Sequence, residues 1–126
     1  MNVEALNPIT GQIIGAAIEV HKELGPGLLE SVYKICLAHE LRSRGIVVSC
    51  EQDLPVVYRD TKLETGYRVD LLVENRVLVE VKAVRDLHPI FVAQTLTYLK
   101  LSGKRLALLI NFNVEVLRDG IKRLAR

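Results

Sequence analysis

A chain of 126 residues that is 49% apolar has enough hydrophobic material for a real core and falls within the usual size of one domain, so residues 1–126 are expected to form one unit. A formal net charge of +2 excludes a protein that coats nucleic acid by bulk electrostatics, and any phosphate contact must come from a local cluster. No apolar run is long enough to span a bilayer and the N-terminus lacks the pattern of a secretory leader, so a cytoplasmic protein with no membrane partner is expected.

Asn7-Pro8 opens the first predicted helix, with Asn7 as its cap and Pro8 at the first helical position. Ile9, Ile13, Ala16, Ala17, Val20 and Leu24 then recur at helical spacing and form a single buried stripe. Gly25-Pro26-Gly27 breaks this helix, and a second runs from about Leu28 to Arg44, ending at Gly45. Beyond Gly45 the pattern becomes short β-rich runs: Ile46 to Cys50, Leu54 to Arg59, Tyr67 to Val73 and Val77 to Val84. Asp60-Thr61-Lys62 and Glu74-Asn75 provide the turns. A third helix covers roughly Pro89 to Leu101 and stops near Gly103; Arg105 to Ile110 reads as a buried strand and Gly120 to Leu124 as a short last one. This order predicts an α/β (α+β) fold with a mixed sheet covered by helices. The third helix is a crossover, so the strand after Gly103 should run parallel to the strand that begins at Val77.

The hairpin around Glu74-Asn75 carries the chemistry. Val69, Leu71, Val73, Val77, Val79 and Val81 form one alternating set, apolar throughout and suited to a core. The opposite set places Arg68, Asp70, Glu80 and Lys82 beside Leu72 and Leu78. If Val73 pairs with Val77 across a three-residue loop, Asp70 faces Glu80, whereas a two-residue loop would separate them. Opposed carboxylates repel unless they share a proton or a cation. Their oxygens suit Mg²⁺, with Mn²⁺ as an alternative, because Mg²⁺ commonly binds through one or two carboxylates plus a substrate phosphate. Lys82 would stand beside the metal and stabilise the extra negative charge of a phosphoryl transition state. On spacing alone, an ordinary exposed ion pair between Asp70 and Lys82 is the plainer account, because acid-x-lysine segments are common on strands.

Asp70 followed by Glu80-Val81-Lys82 resembles the signature of the PD-(D/E)xK nuclease superfamily. Gly27-Leu28-Leu29-Glu30-Ser31-Val32-Tyr33 is similar to the namesake motif of its GxxExxY family. Gln94-Thr95-Leu96-Thr97-Tyr98 is similar to the glutamine-x-x-x-tyrosine motif of RecB-like nucleases, and its i, i+4 spacing puts Gln94 and Tyr98 on one helix face. The likeness runs from His21 to Lys122-Arg123. It implies a restriction-endonuclease-like core and a metal site of Glu30, Asp70, Glu80 and the Val81 carbonyl, with Tyr33 in support. It also implies Lys82, Gln94 and Tyr98 as catalytic or orienting residues. The implied activity is metal-dependent hydrolysis of nucleic acid, DNA ahead of RNA. With six aromatic residues to stack bases and no separate recognition module, sequence preference should be low.

Other residues read more plainly. His21 shares a helix face with Ala17 and Leu24 and is expected to pack on the core. Lys100, Lys104 and Arg105, and Lys122, Arg123 and Arg126, are solvated charge or phosphate contacts. Cys36 and Cys50 have no metal-binding spacing and are expected to be buried free thiols. A non-catalytic nucleic-acid-binding or assembly module, including a homodimer, is the competing function, and a small-molecule phosphodiesterase is a third.

Overall fold

A computed structural model describes residues 2–126. A short 3-10 turn, Val3–Leu6, leads into α1 (Asn7–Leu24). The helix begins where expected but by a different device. Asn7 is its first residue rather than its cap, and no side chain caps the end. The Asn7 Oδ1 instead accepts a 2.6 Å hydrogen bond from Arg123. Ile13, Ala16, Ala17 and Val20 form the buried stripe, where a side chain the size of Ile13 contributes roughly 1.5–3 kcal/mol on burial.

Gly25 and Gly27, at φ 68° and 101°, take the backbone through conformations that side chains resist. The Tyr33 hydroxyl ties this turn together, donating to the Gly25 carbonyl (2.5 Å) and accepting the Leu28 N–H (3.1 Å). Chain direction then reverses into α2 (Glu30–Ser43), which packs against α1.

The strands are β1 (Val48–Asp53), β2 (Val56–Tyr58), β3 (Thr61–Leu63), β4 (Arg68–Val73), β5 (Val77–Lys82), β6 (Leu106–Asn111) and β7 (Ile121–Ala125), with α3 (Pro89–Ser102) between β5 and β6. Five of them form one sheet in the order β1-β4-β5-β6-β7. As expected of a crossover, β5 and β6 are parallel, while the other neighbours are antiparallel. The helix pair covers one face, burying Leu71, Val73, Val77, Val79, Val81, Leu106, Leu108 and Ile110. α3 covers the other through Leu78, Tyr98, Leu99 and Ala107. This is a mixed α/β architecture consistent with a restriction-endonuclease-like core. It accounts for the apolar runs Val77–Val79 of β5 and Leu106–Ile110 of β6, because strands covered on both faces have no solvent side to alternate with.

Three expectations need correction. Thr61, assigned to a turn, starts β3: Tyr58 pairs with Thr61 around a two-residue Arg59-Asp60 turn, with Arg59 at φ 55°. This β2–β3 hairpin stands outside the main sheet. Val69 does not join Leu71 and Val73 but packs with Leu78 and Leu99, so the alternation of β4 breaks at Asp70. Neither cysteine is buried; Cys36 is half-buried and Cys50 exposed, and both are free. Cys50 lies on edge strand β1, which is open to solvent after Val48. No helix among the described residues is long and apolar enough to cross a membrane.

Candidate active site

Val73 pairs with Val77, Leu72 with Leu78 and Leu71 with Val79, the register that a three-residue loop requires. Glu74 and Asn75 adopt left-handed conformations (φ 52° and 54°), and the Arg76 N–H closes the turn on the Val73 carbonyl at 3.0 Å. Arg76 is the extra residue that sets the pairing. One step beyond Leu71 and Val79 the regular ladder gives way to side chains. Asp70 Oδ2 accepts the Val81 N–H (2.8 Å), and Glu80 Oε1 accepts the Asp70 N–H (3.4 Å). The two carboxylates thus occupy the place where β4 and β5 would exchange backbone bonds.

Both acids are buried, Asp70 at 8% exposure and Glu80 at 4%. Burial above all, and then the neighbouring charge of Asp70, push the Glu80 pKa up to about 9. A carboxyl so placed holds a proton unless a cation takes its place. The pair offers only oxygen donors, both anionic when ionised, and such a set fits a hard divalent cation that retains waters, as Mg²⁺ does.

The first cation beside Asp70 is not Lys82. Lys34 Nζ, from α2, lies 3.5 Å from Asp70 Oδ1 and 3.1 Å from Glu51 Oε1. Burial lowers the pKa of Lys34, but the Glu51 and Asp70 carboxylates outweigh it and raise the value overall. Glu51 sits across β1 from Asp70 at φ 52°, so β1 is irregular at the same level of the sheet. Lys82 makes no ion pair with Asp70; its Nζ lies over the Phe91 ring, 4.9 Å from the centroid. The plain Asp70–Lys82 ion pair considered from spacing therefore does not form.

Gln94 and Tyr98 come from successive turns of α3. The Tyr98 phenol is held protonated by burial first, then by the charges of Glu80, Tyr67 and Asp70, with the Gln94 side-chain hydrogen bond acting the other way. α3 thus faces the acid pair through Tyr98, with Gln94 beside it.

Glu30 is half-buried at the first position of α2. Among the described residues no three acids, histidines or cysteines lie close enough together to hold a metal ion, so Glu30 is not gathered with Asp70 and Glu80. Position along the helix axis explains this: Lys34, one turn further along the same face, is the residue that meets Asp70. Tyr33 also turns elsewhere. It is fully buried, stacked on Phe112 at 4.7 Å, and its hydroxyl is taken by the Gly25–Leu28 turn. His21 is buried and bonds the Val114 carbonyl at 2.7 Å, as a core histidine does. Lys104 and Arg105 precede β6, level with the start of β5, at the end of the sheet away from the acids. Arg123 is drawn to Val3 and Asn7.

Sequence reasoning missed Lys34, Glu51, Phe91 and Asn111. The buried Asn111 amide accepts from the Val84 N–H (3.1 Å) and donates to the Val84 carbonyl (2.9 Å), securing the chain just past Lys82. A polar residue closing the run Leu106–Ile110 was its signal, and the i+4 spacing from Glu30 was the signal for Lys34.

A family model described as the PD-(D/E)XK nuclease superfamily matches residues 7–124, a span that holds every residue of this site. No curated protein and no solved structure gives a significant match to the chain.

Proposed function

The chain belongs to the PD-(D/E)XK nuclease superfamily, and from that premise we propose that it is a Mg²⁺-dependent nuclease of the GxxExxY group, working as one domain. Its substrate in this reading is nucleic acid, DNA ahead of RNA, cut with little sequence preference. The observation that carries the reading is the buried Asp70–Glu80 pair at the break in the β4–β5 ladder, with Lys82 two residues on from Glu80.

Asp70 and Glu80 are the residues that would hold the cation, with the Val81 carbonyl, and Glu30 would join them only through a shift of its side chain or through water. The bound cation would supply Lewis-acid polarisation of the scissile phosphate. Lys82, released from the Phe91 ring, would bring its ammonium to the charge that develops on the phosphoryl oxygens. Lys34 stands 3.5 Å from the Asp70 carboxylate on the α2 side, where the metal would compete with it, and Asp70's bond to the Val81 N–H holds it in line with Glu80. Gln94 and Tyr98 would orient the substrate through an amide and a protonated phenol.

Purified protein is expected to nick nucleic acid with Mg²⁺ or Mn²⁺ and to stop when EDTA is added. Lys82→Ala should bind Mg²⁺ like the wild type in calorimetry yet lose about a hundredfold or more in turnover. Failure to cut single-stranded, duplex and branched DNA and RNA, with no detectable metal binding, refutes the proposal. Nucleic-acid binding that survives Asp70→Ala, without cleavage by either protein, would point to a non-catalytic binding module.

A further inference from the structure

Of the chain's four tyrosines and two phenylalanines, Tyr33 and Phe112 stack on each other in the core. Three others lie at or beside the candidate site: Phe91 under the Lys82 ammonium, Tyr98 in the field of Glu80 and Asp70, and Tyr67 with its centroid 6.1 Å from that of Tyr98. Tyr67 and Tyr98 are tilted by 46°, so neither ring covers the face of the other. Tyr67 is 49% exposed, which leaves aromatic surface open to a ligand.

That surface lines a cavity of about 330 Å³ between α3 and the segment carrying β2, together with Tyr98, Gln94, Thr97, Val56 and Leu101. The volume lies at the small end of the range of about 300–1,000 Å³ typical of ligand pockets, suited to one ring system rather than a run of stacked bases. Its chemistry is mixed in a particular way. Two aromatic rings and the aliphatic side chains of Val56, Ile90 and Leu101 offer a face, while the Gln94 amide and Thr97 hydroxyl offer both donors and acceptors, enough to meet the edge of any base. Tyr98 and Gln94 belong at once to this cavity and to the candidate active site, so an occupant of the cavity touches two residues of that site.

We propose that this cavity receives one unstacked base of the substrate, next to the phosphate presented to Asp70 and Glu80, so that the enzyme acts on nucleic acid carrying an unpaired nucleotide. The inference rests on the nuclease reading and narrows its substrate class. A base inside a duplex is held by stacking and pairing on both sides and reaches such a cavity only by flipping out. Single strands, ends, loops and bulges present it at no such cost.

The test separates binding from cleavage. Fluorescence anisotropy, in EDTA and again in Ca²⁺, would compare three labelled probes: a short single-stranded oligonucleotide, its blunt duplex, and a base-free deoxyribose-phosphate oligomer of the same length. The single strand should bind more tightly than either of the others. Loss of one stacked base weakens binding roughly fivefold to a hundredfold, the effect expected for Tyr67→Ala, while Tyr67→Phe should bind like the wild type. Ala93→Trp fills the cavity from an exposed position on α3 and should weaken binding to the single strand while leaving the base-free oligomer unchanged. Circular dichroism would show that both variants are folded.

Equal affinity for the base-containing and base-free oligomers overturns the inference, as does an Ala93→Trp variant that binds normally or the absence of binding to any single strand. Cleavage without base dependence would leave the nuclease reading standing and remove this one. Base-dependent binding without cleavage of any substrate would remove the nuclease reading, and the substrate class with it, and leave only a base-binding cavity.

Discussion

Replacing Glu80 with glutamine should stabilise the metal-free protein at neutral and alkaline pH. Burial, followed by the charge of Asp70, lifts the Glu80 pKa from an ordinary 4.5 to about 9. The folded state therefore keeps a proton that the unfolded chain releases, and between these two values stability falls as pH rises. A whole proton corresponds to about 1.4 kcal/mol per pH unit. Because the titration is shared with Asp70, a slope of roughly 1 kcal/mol per unit is the working figure. Between about pH 6 and pH 8 the wild type should lose roughly 2 kcal/mol, or about 5–10 °C in Tm for a chain of this size, that the variant does not lose. Glutamine reproduces the protonated carboxyl, accepting the Asp70 N–H through Oε1 and turning its amide NH₂ toward the Asp70 carboxylate. Thermal melts in EDTA from about pH 5.5 to 8.5 would measure this. The difference between the two proteins removes the contribution of the three histidines. Adding Mg²⁺ should raise the wild-type Tm more at high pH than at low, because the cation binds the ionised pair, and should raise the variant's much less. Melting temperatures that run parallel in EDTA across the range would refute the assignment of a proton to this pair.

Three further outcomes are expected. Lys34→Met removes the ammonium that lies 3.5 Å from Asp70 and should tighten Mg²⁺ binding in calorimetry by a few-fold, since a competing cation is gone; weaker binding would mean that Lys34 orients Asp70 rather than competing. Asn111→Leu strands the Val84 N–H and carbonyl, and chemical denaturation should show a loss of about 2–4 kcal/mol, a leucine-tolerant site being the contrary result. Gly120→Ala would drive a Cβ into the Asn111 carbonyl oxygen and should cost about 1–3 kcal/mol in the same assay, with an unchanged midpoint showing that β6 and the turn before β7 can yield.

Much of the fold was legible because its signals are local. Pro8, Gly25, Gly45 and Gly103 mark helix boundaries through their own backbone preferences, and the apolar runs at Val77–Val79 and Leu106–Ile110 announce strands covered on both faces. The arithmetic that placed Asp70 opposite Glu80 worked because strand register, once the loop length is given, has only two outcomes for a side chain. The Thr61–Leu63 strand was hidden because three exposed residues carry no apolar alternation, and a two-residue turn leaves little sequence to mark it.

The candidate site was legible only as a set of residue types. Asp70, Glu80 and Lys82 were within reach of pattern reasoning, and the family resemblance added Glu30, Gln94 and Tyr98. Where each side chain goes depended on partners far along the chain: Lys34 meets Asp70 across 36 positions, Lys82 turns to Phe91, and Tyr33 closes a turn instead of facing the acids. Sequence by itself determined that two carboxylates would lie on neighbouring strands and that a three-residue loop would bring them together, because periodicity and loop length act over a few residues. Tertiary structure alone decided that they would be buried, that β4 would break its alternation at Asp70, and that a lysine from α2 would stand beside them. Burial and the balance of charge are properties of all the surfaces that close over a group, and no local window contains them.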